Sequence, residues 1–208
     1  MHFSAYILAF TMAAGSVSGV TIRNYRSATC KGNYIQCSEI APWQCCVGGP
    51  KGVVSSAEFL GLPIASYGAI CRKKGSTNCG EVKNAGSGLR PCVGGGNCRG
   101  SMWMNCNYCG NKRDVEDLTN VTSIAGRDEV PQELQGASSQ GSAQADTIAF
   151  EDHQFKYDDS VPADVKEKFD GLLEADAGYA DVPEELKQYE LKGKDRRGDD
   201  DWELPGGI

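Results

Sequence analysis

Short stretches of β-branched and aromatic residues, separated by Gly, Pro, Asn and Ser, recur through the middle of the chain. They run Asn33 to Cys37, Val53 to Phe59, Gly68 to Arg72, Leu89 to Val93 and Ser101 to Met104. Runs this short between turn formers predict strands of a small antiparallel β domain. Ser55-Ser56-Ala57-Glu58 also fits the start of a capped helix, so an α+β variant with one short helix is the alternative. Ahead of these lies an apolar run, Ala5 to Ala14, followed by the small residues Gly15 to Gly19. The run is too short to cross a bilayer, which takes about twenty residues, and fits the h-region of a signal peptide cut near Val20. The segment before it carries His2 but no Lys or Arg, a departure from the usual signal.

Past residue 113 the pattern changes. Residues 114–160 hold few large apolar side chains, and Gln132 to Ala145 is rich in Gln, Ser, Gly and Ala. Such a composition buries too little surface to fold alone. Helical spacing then appears twice. Val165, Phe169, Leu172 and Leu173 follow Pro162, with Ser160 as a possible cap, and Leu186 and Tyr189 follow Pro183. The expectation is therefore a disulfide-rich antiparallel β domain followed by a mostly disordered acidic tail with short helices. Its boundaries are a signal peptide over 1–19, a basic cysteine-rich domain over 20–111 and the tail over 112–208.

Cysteine usage sharpens this. All ten lie between residues 30 and 109: Cys30, Cys37, Cys45, Cys46, Cys71, Cys79, Cys92, Cys98, Cys106 and Cys109. An even number crowded behind a secretory signal predicts five disulfides and an extracellular location. Spacing leaves on the order of a thousand pairings open. Cys45 and Cys46 are adjacent, so their side chains diverge towards different partners. Cys106 and Cys109 have the spacing of a zinc knuckle, but no histidine occurs over 21–111 and no second such pair exists, so no metal is expected. The 91 residues from Thr21 to Asn111 include fifteen glycines, too few packing side chains for a large core, so the bridges matter.

Charge divides at the same place. Thr21 to Arg113 carries twelve basic and three acidic residues, a net +9, whereas Asp114 to Ile208 carries nine basic and twenty-five acidic, a net -16. Lys112-Arg113 stands at the boundary and Arg196-Arg197 near the end, both dibasic sites for a late-secretory processing protease. Asn120-Val121-Thr122 is a glycosylation sequon at Asn120. The asymmetry predicts that the basic domain meets its own acidic tail and anionic targets, a membrane surface or cell-wall polysaccharide. Arg72, Lys73 and Lys74, with Lys83, Arg90 and Arg99, are the candidate contact residues. A signal, a basic disulfide domain and an acidic pro-piece is also the layout of plant thionin precursors. The secretory route argues against nucleic acid, and a monomer is expected.

No catalytic constellation is visible. The basic domain has no His and no Asp, so Ser/His/Asp and Cys/His arrangements are excluded from it. The glycine run Gly94 to Gly96 lacks the alternating strands and helices of a phosphate loop and reads as turns beside Cys92 and Cys98. No cofactor is implied. Cys37, the Trp43-Gln44-Cys45-Cys46 doublet, the Val53 to Phe59 strand and Gly94-Gly95-Gly96 through Gly100-Ser101-Met102-Trp103 give residues 30–109 a likeness. The segment resembles the small secreted cysteine-rich proteins of filamentous fungi, many without assigned activity. The resemblance implies an effector, an antimicrobial or toxin-like protein, or a wall-associated one. The sequence thus points to a secreted non-enzymatic binding protein. A carbohydrate-binding wall module using Trp43, Trp103 or Tyr108 is one alternative, and a protease inhibitor presenting Lys73-Lys74-Gly75 is another.

Overall fold

The structure, a computed structural model, describes residues 19–49, 52–105, 134 and 136–192. The strands in chain order are β1 (Val20–Tyr25), β2 (Tyr34–Ile40), β3 (Gln44–Val47), β4 (Val54–Leu60), β5 (Ser66–Lys74), β6 (Thr77–Gly86), β7 (Cys92–Cys98) and β8 (Gly100–Asn105). From the acidic half come β9 (Gly141–Ala143), β10 (Thr147–Phe150) and β11 (His153–Lys156), then the helices α1 (Ala163–Glu174) and α2 (Glu184–Lys187). The expected antiparallel β architecture is present. Ser55 to Glu58 belongs to β4, so the helical alternative there falls away: Ser56 and Ala57 are buried, and β4 pairs with strands on both sides.

Two sheets face one another. The first has the order β11-β10-β2-β1-β4-β7 and the second β6-β5-β8-β3-β9. All pairings are antiparallel except β3 with β9. Side chains alternate across each strand and so feed two different cores. Along β5, Ile70 joins Ile22, Val54, Phe59 and Trp103 between the sheets. Its neighbours Ala69 and Cys71 join Met102, Met104 and Leu134 on the outer face of the second sheet. Gly68 has no side chain for a direct reason: a Cβ there would lie 2.4 Å from the Phe59 ring. Trp103 is buried and donates its indole N–H to the Ile40 carbonyl at 2.7 Å.

Among the described residues three disulfides hold this frame. Cys30–Cys92 ties the turn after β1 to the start of β7, Cys37–Cys46 crosses between the sheets, and Cys45–Cys79 fastens β3 to β6. The neighbours Cys45 and Cys46 do diverge to different partners. Five bridges are expected from the count; Cys71 and Cys98 stand instead as buried free thiols, packed in different apolar clusters. Cys106, Cys109, Asn120, the dibasic pairs Lys112-Arg113 and Arg196-Arg197, and the signal segment through residue 18 lie outside the described residues.

The tail contributes more to the fold than its composition predicts. β10 adds to the edge of β2, with Ile148 opposite Ile35, and β9 adds to β3. Leu134 is buried under the outer face of the second sheet. Both expected helices are present, and they close a third core of Ile35, Ile148, Phe150, Phe155, Phe169, Leu173 and Leu186. Ser160 does not cap α1; its hydroxyl goes to Asp158 at 2.6 Å, and Pro162 occupies the cap position. Each fully buried aromatic ring here removes enough apolar surface to contribute about 1.5–3 kcal/mol.

The last described turn is fastened by Glu190. Its carboxylate lies 2.7 Å from His153 Nδ1 and accepts a bond from the Tyr179 hydroxyl at 3.1 Å. Burial pushes this carboxyl up, but the bonds from His153 and Tyr179 outweigh it and hold the group below the usual 4.5. A lowered folded-state value means the stabilisation is complete above that pH and is lost as the pH falls below it. Glu190→Gln should therefore flatten the acid limb of the stability profile below about pH 5 and cost about 1 kcal/mol at pH 7. Chemical denaturation from pH 3 to 7 checks this; an unchanged acid limb would contradict it.

Candidate functional site

Of the six basic residues singled out from sequence, three are brought together. Arg72, Lys73 and Lys74 form the exposed end of β5, where Lys74 pairs with Thr77 across the two-residue turn Gly75-Ser76. Gly75 has a φ of 60°, the left-handed conformation such tight hairpins require. Glu81 is the cross-strand neighbour of Arg72. Even so, none of the three cations forms an ion pair among the described residues. The hairpin thus presents three charges in a row on a strand whose preceding half is buried.

The other three are placed elsewhere. The Lys83 ammonium donates to the carbonyls of Gly95 and Gly96, the latter at 2.8 Å, tying β6 to β7. Arg99 is exposed, with its side chain against Gly52. Arg90 leads to a second site. Its Nε donates to Glu58 Oε1 at 2.6 Å, on the floor of a cleft of about 620 Å³.

The cleft is built on the first sheet by residues that β-strand spacing places side by side. Arg23 on β1 and Glu58 on β4 are register partners, and so are Arg23 and Gln36 on β2. Arg23, only 5% exposed, donates to Gln36 at 2.8 Å, lies 4.8 Å over the Tyr34 ring and approaches Glu58 at 3.9 Å. Tyr25 donates its hydroxyl to the second Glu58 oxygen at 3.0 Å and packs against Tyr34 at 5.2 Å between ring centres. Lys31 stands on one rim. Glu151 and Asp152, from the β10–β11 turn, stand on the other, so the acidic half of the chain supplies part of the wall.

Electrostatically the floor is a single network. Burial, and then the Glu58 charge, push the Tyr25 phenol far above its usual range, so it stays a donor. Both Glu58 oxygens are engaged, one by Tyr25 and one by Arg90. Two guanidinium groups against one carboxylate leave the floor cationic, beside two aromatic rings. That set can hold a polar or anionic ligand. Among the described residues no group of His, Cys, Asp or Glu is arranged to hold a metal ion.

Sequence reasoning missed Arg23, Tyr25, Tyr34, Glu58, Glu151 and Asp152 as a site. A charged residue inside an apolar strand, Arg23 between Ile22 and Tyr25, is the one local signal; the partners come from strand pairing. Trp103, a candidate sugar platform, is in the core and cannot stack on a ligand. Trp43 packs half-buried against the outer core, and Tyr108 lies outside the described residues.

The network predicts its own weak point. Glu58→Gln removes the charge that Tyr25 and Arg90 bond and that the buried Arg23 faces, and should cost about 3 kcal/mol. Arg90→Ala, at a side chain 54% exposed, should cost at most about 1 kcal/mol. Urea denaturation of the two variants separates them; equal losses would contradict the network.

Set beside known proteins, residues 21–141 match the model of the family named ARB_05566_N, described as an N-terminal domain. The match runs through both sheets of the cysteine-rich segment and ends where β9 begins. No curated protein and no solved structure matches the chain. As the family model spans more than half of its 208 residues, the chain belongs to the ARB_05566_N family.

Proposed function

We propose that the protein is a secreted, non-enzymatic binding protein that attaches to anionic surfaces through the tip of the β5–β6 hairpin. The observation that carries this is the row Arg72, Lys73 and Lys74, exposed and without ion-pair partners among the described residues. Cations exposed at the end of a hydrogen-bonded strand stand where an anionic surface can reach them. Three disulfides fit passage through an oxidising compartment. No described helix is long and apolar enough to cross a membrane. Glu58, the one carboxylate on the cleft floor, has both oxygens occupied, an arrangement that favours holding a ligand over moving a proton. In this reading the described part of the tail is scaffold, since it completes sheet edges and cores.

A second reading is favoured by the cleft: carbohydrate recognition. Tyr25, Tyr34, two guanidinium groups and the rim carboxylates offer the stacking faces and hydrogen-bond partners that sugar hydroxyls and uronate groups take. It replaces the Trp103 platform expected from the sequence.

One binding series tests both. Sedimentation with anionic vesicles and with an acidic polysaccharide should show binding that weakens about tenfold or more from 0.05 to 0.5 M salt, because exposed charges are then screened within a few ångströms. Reversing Arg72, Lys73 and Lys74 together to Glu should abolish it with the melting temperature unchanged. Salt-insensitive polysaccharide binding, lost in Arg90→Ala but kept in the triple variant, would overturn the hairpin reading in favour of the cleft.

A further inference from the structure

Four cysteines are left once the three bridges are formed: Cys71, Cys98, Cys106 and Cys109. Of their three possible pairings, strand register favours one. Cys71 on β5 is opposite Gly100, the first residue of β8. Arg99 donates its amide to the Cys71 carbonyl at 2.8 Å, which fixes Cys98 at the same end of β8 and limits the Cys71–Cys98 Cα separation to about 8 Å. Asn105, the residue before Cys106, pairs with Ser66 at the other end of β8. Five steps along the strand separate Gly100 from Asn105, roughly 17 Å. One further residue adds at most about 3.8 Å of reach. A disulfide requires Cα atoms within about 7 Å, so that reach is too short to bring Cys106 to Cys71.

The pairing of Cys106 with Cys71 is thereby removed, while Cys98 stands beside Cys71. We propose that Cys71 and Cys98, brought side by side by the strand register, form a fourth disulfide, joining β5 of the second sheet to β7 of the first. Burial, and after it the nearby Cys98 sulfur, keep the Cys71 thiol protonated in the closed fold. Both thiols are also buried out of reach of a disulfide donor, so the bond forms before the cores close. A disulfide donor of the oxidising compartment is attacked by one cysteine thiolate, giving a mixed disulfide. The second thiolate displaces the donor sulfur. The donor leaves as a dithiol carrying the two electrons and two protons, and the Cys71–Cys98 bond remains. Relative to the thiol form, the bond takes rotation of the two side chains out of their separate clusters. The inference shares with the proposed function only the oxidising route, and the three bridges described above report on that route separately.

The test is tryptic mapping of the natively secreted full chain, alkylated under denaturing conditions without reduction. The Cys30–Cys92 bridge joins the peptide 27–31 to 84–99. With the fourth bridge present, the peptide 52–72 is joined to the same assembly, and fragmentation places its bond at Cys98. Recovery of 52–72 with an alkylated Cys71, or joined to the peptide that holds Cys106 and Cys109, overturns the proposal. If Cys30, Cys37 and their partners were alkylated too, the secretory reading would fall with it; if they were not, only the fourth bridge would.

Discussion

The edge of β2 is the constraint on which the rest of the molecule depends. A sheet edge leaves a row of backbone donors and acceptors unpaired, and Ile35 beside it carries apolar surface that must be covered. β10 supplies both remedies, pairing with β2 through Thr147, Ile148 and Ala149 while Ile148 covers Ile35. Everything after it follows from that addition. A twelve-residue helix without a side-chain cap and a four-residue helix are unstable alone, and here each exists by burying Phe169, Leu173 and Leu186 against the added strands. The wall of the cleft at Glu151 and Asp152 exists only because β10 turns into β11.

A second constraint comes from the doublet on β3. In a strand, consecutive side chains point to opposite faces, so Cys45 and Cys46 cannot serve the same core. Cys46 reaches across to Cys37 in the first sheet, and Cys45 reaches Cys79 on the outer face of the second. Two adjacent residues thus clamp the inter-sheet core and anchor β6, the strand that returns from the cationic hairpin. Asn24 adds a bond to the Cys46 carbonyl at 3.1 Å, and Ser101 one to Asn24 at 2.6 Å, so the buried polar groups at this junction are satisfied.

Much of this was legible in the residues. Runs of β-branched and aromatic residues between turn formers located β2, β4, β5 and β8 to within a few positions, the Leu89 to Val93 run meets β7 only at Cys92 and Val93, and helical spacing of Val165, Phe169, Leu172 and Leu173 located α1. The divergence of Cys45 and Cys46 also followed from their adjacency. β1 was hidden because Arg23 and Asn24 interrupt its apolar pattern, and their burial makes sense only beside Glu58, Gln36 and Cys46. β6 carries Lys83 and Asn84 for contacts with the glycine run, which no local pattern reveals. β10 is a four-residue apolar run, Thr-Ile-Ala-Phe, in a polar context; its partner lies more than a hundred residues away, and composition averages it out. The cleft was illegible for the same reason, since it is made by cross-strand register.

Hydrogen–deuterium exchange on the intact chain tests the central claim, that the acidic half is part of the sheet, most directly. The account predicts that the amides of 147–150 and 153–156 are protected to the same degree as those of 34–37, and that they exchange together as one unit. Exchange of 147–156 within seconds while 34–37 stays protected would contradict it.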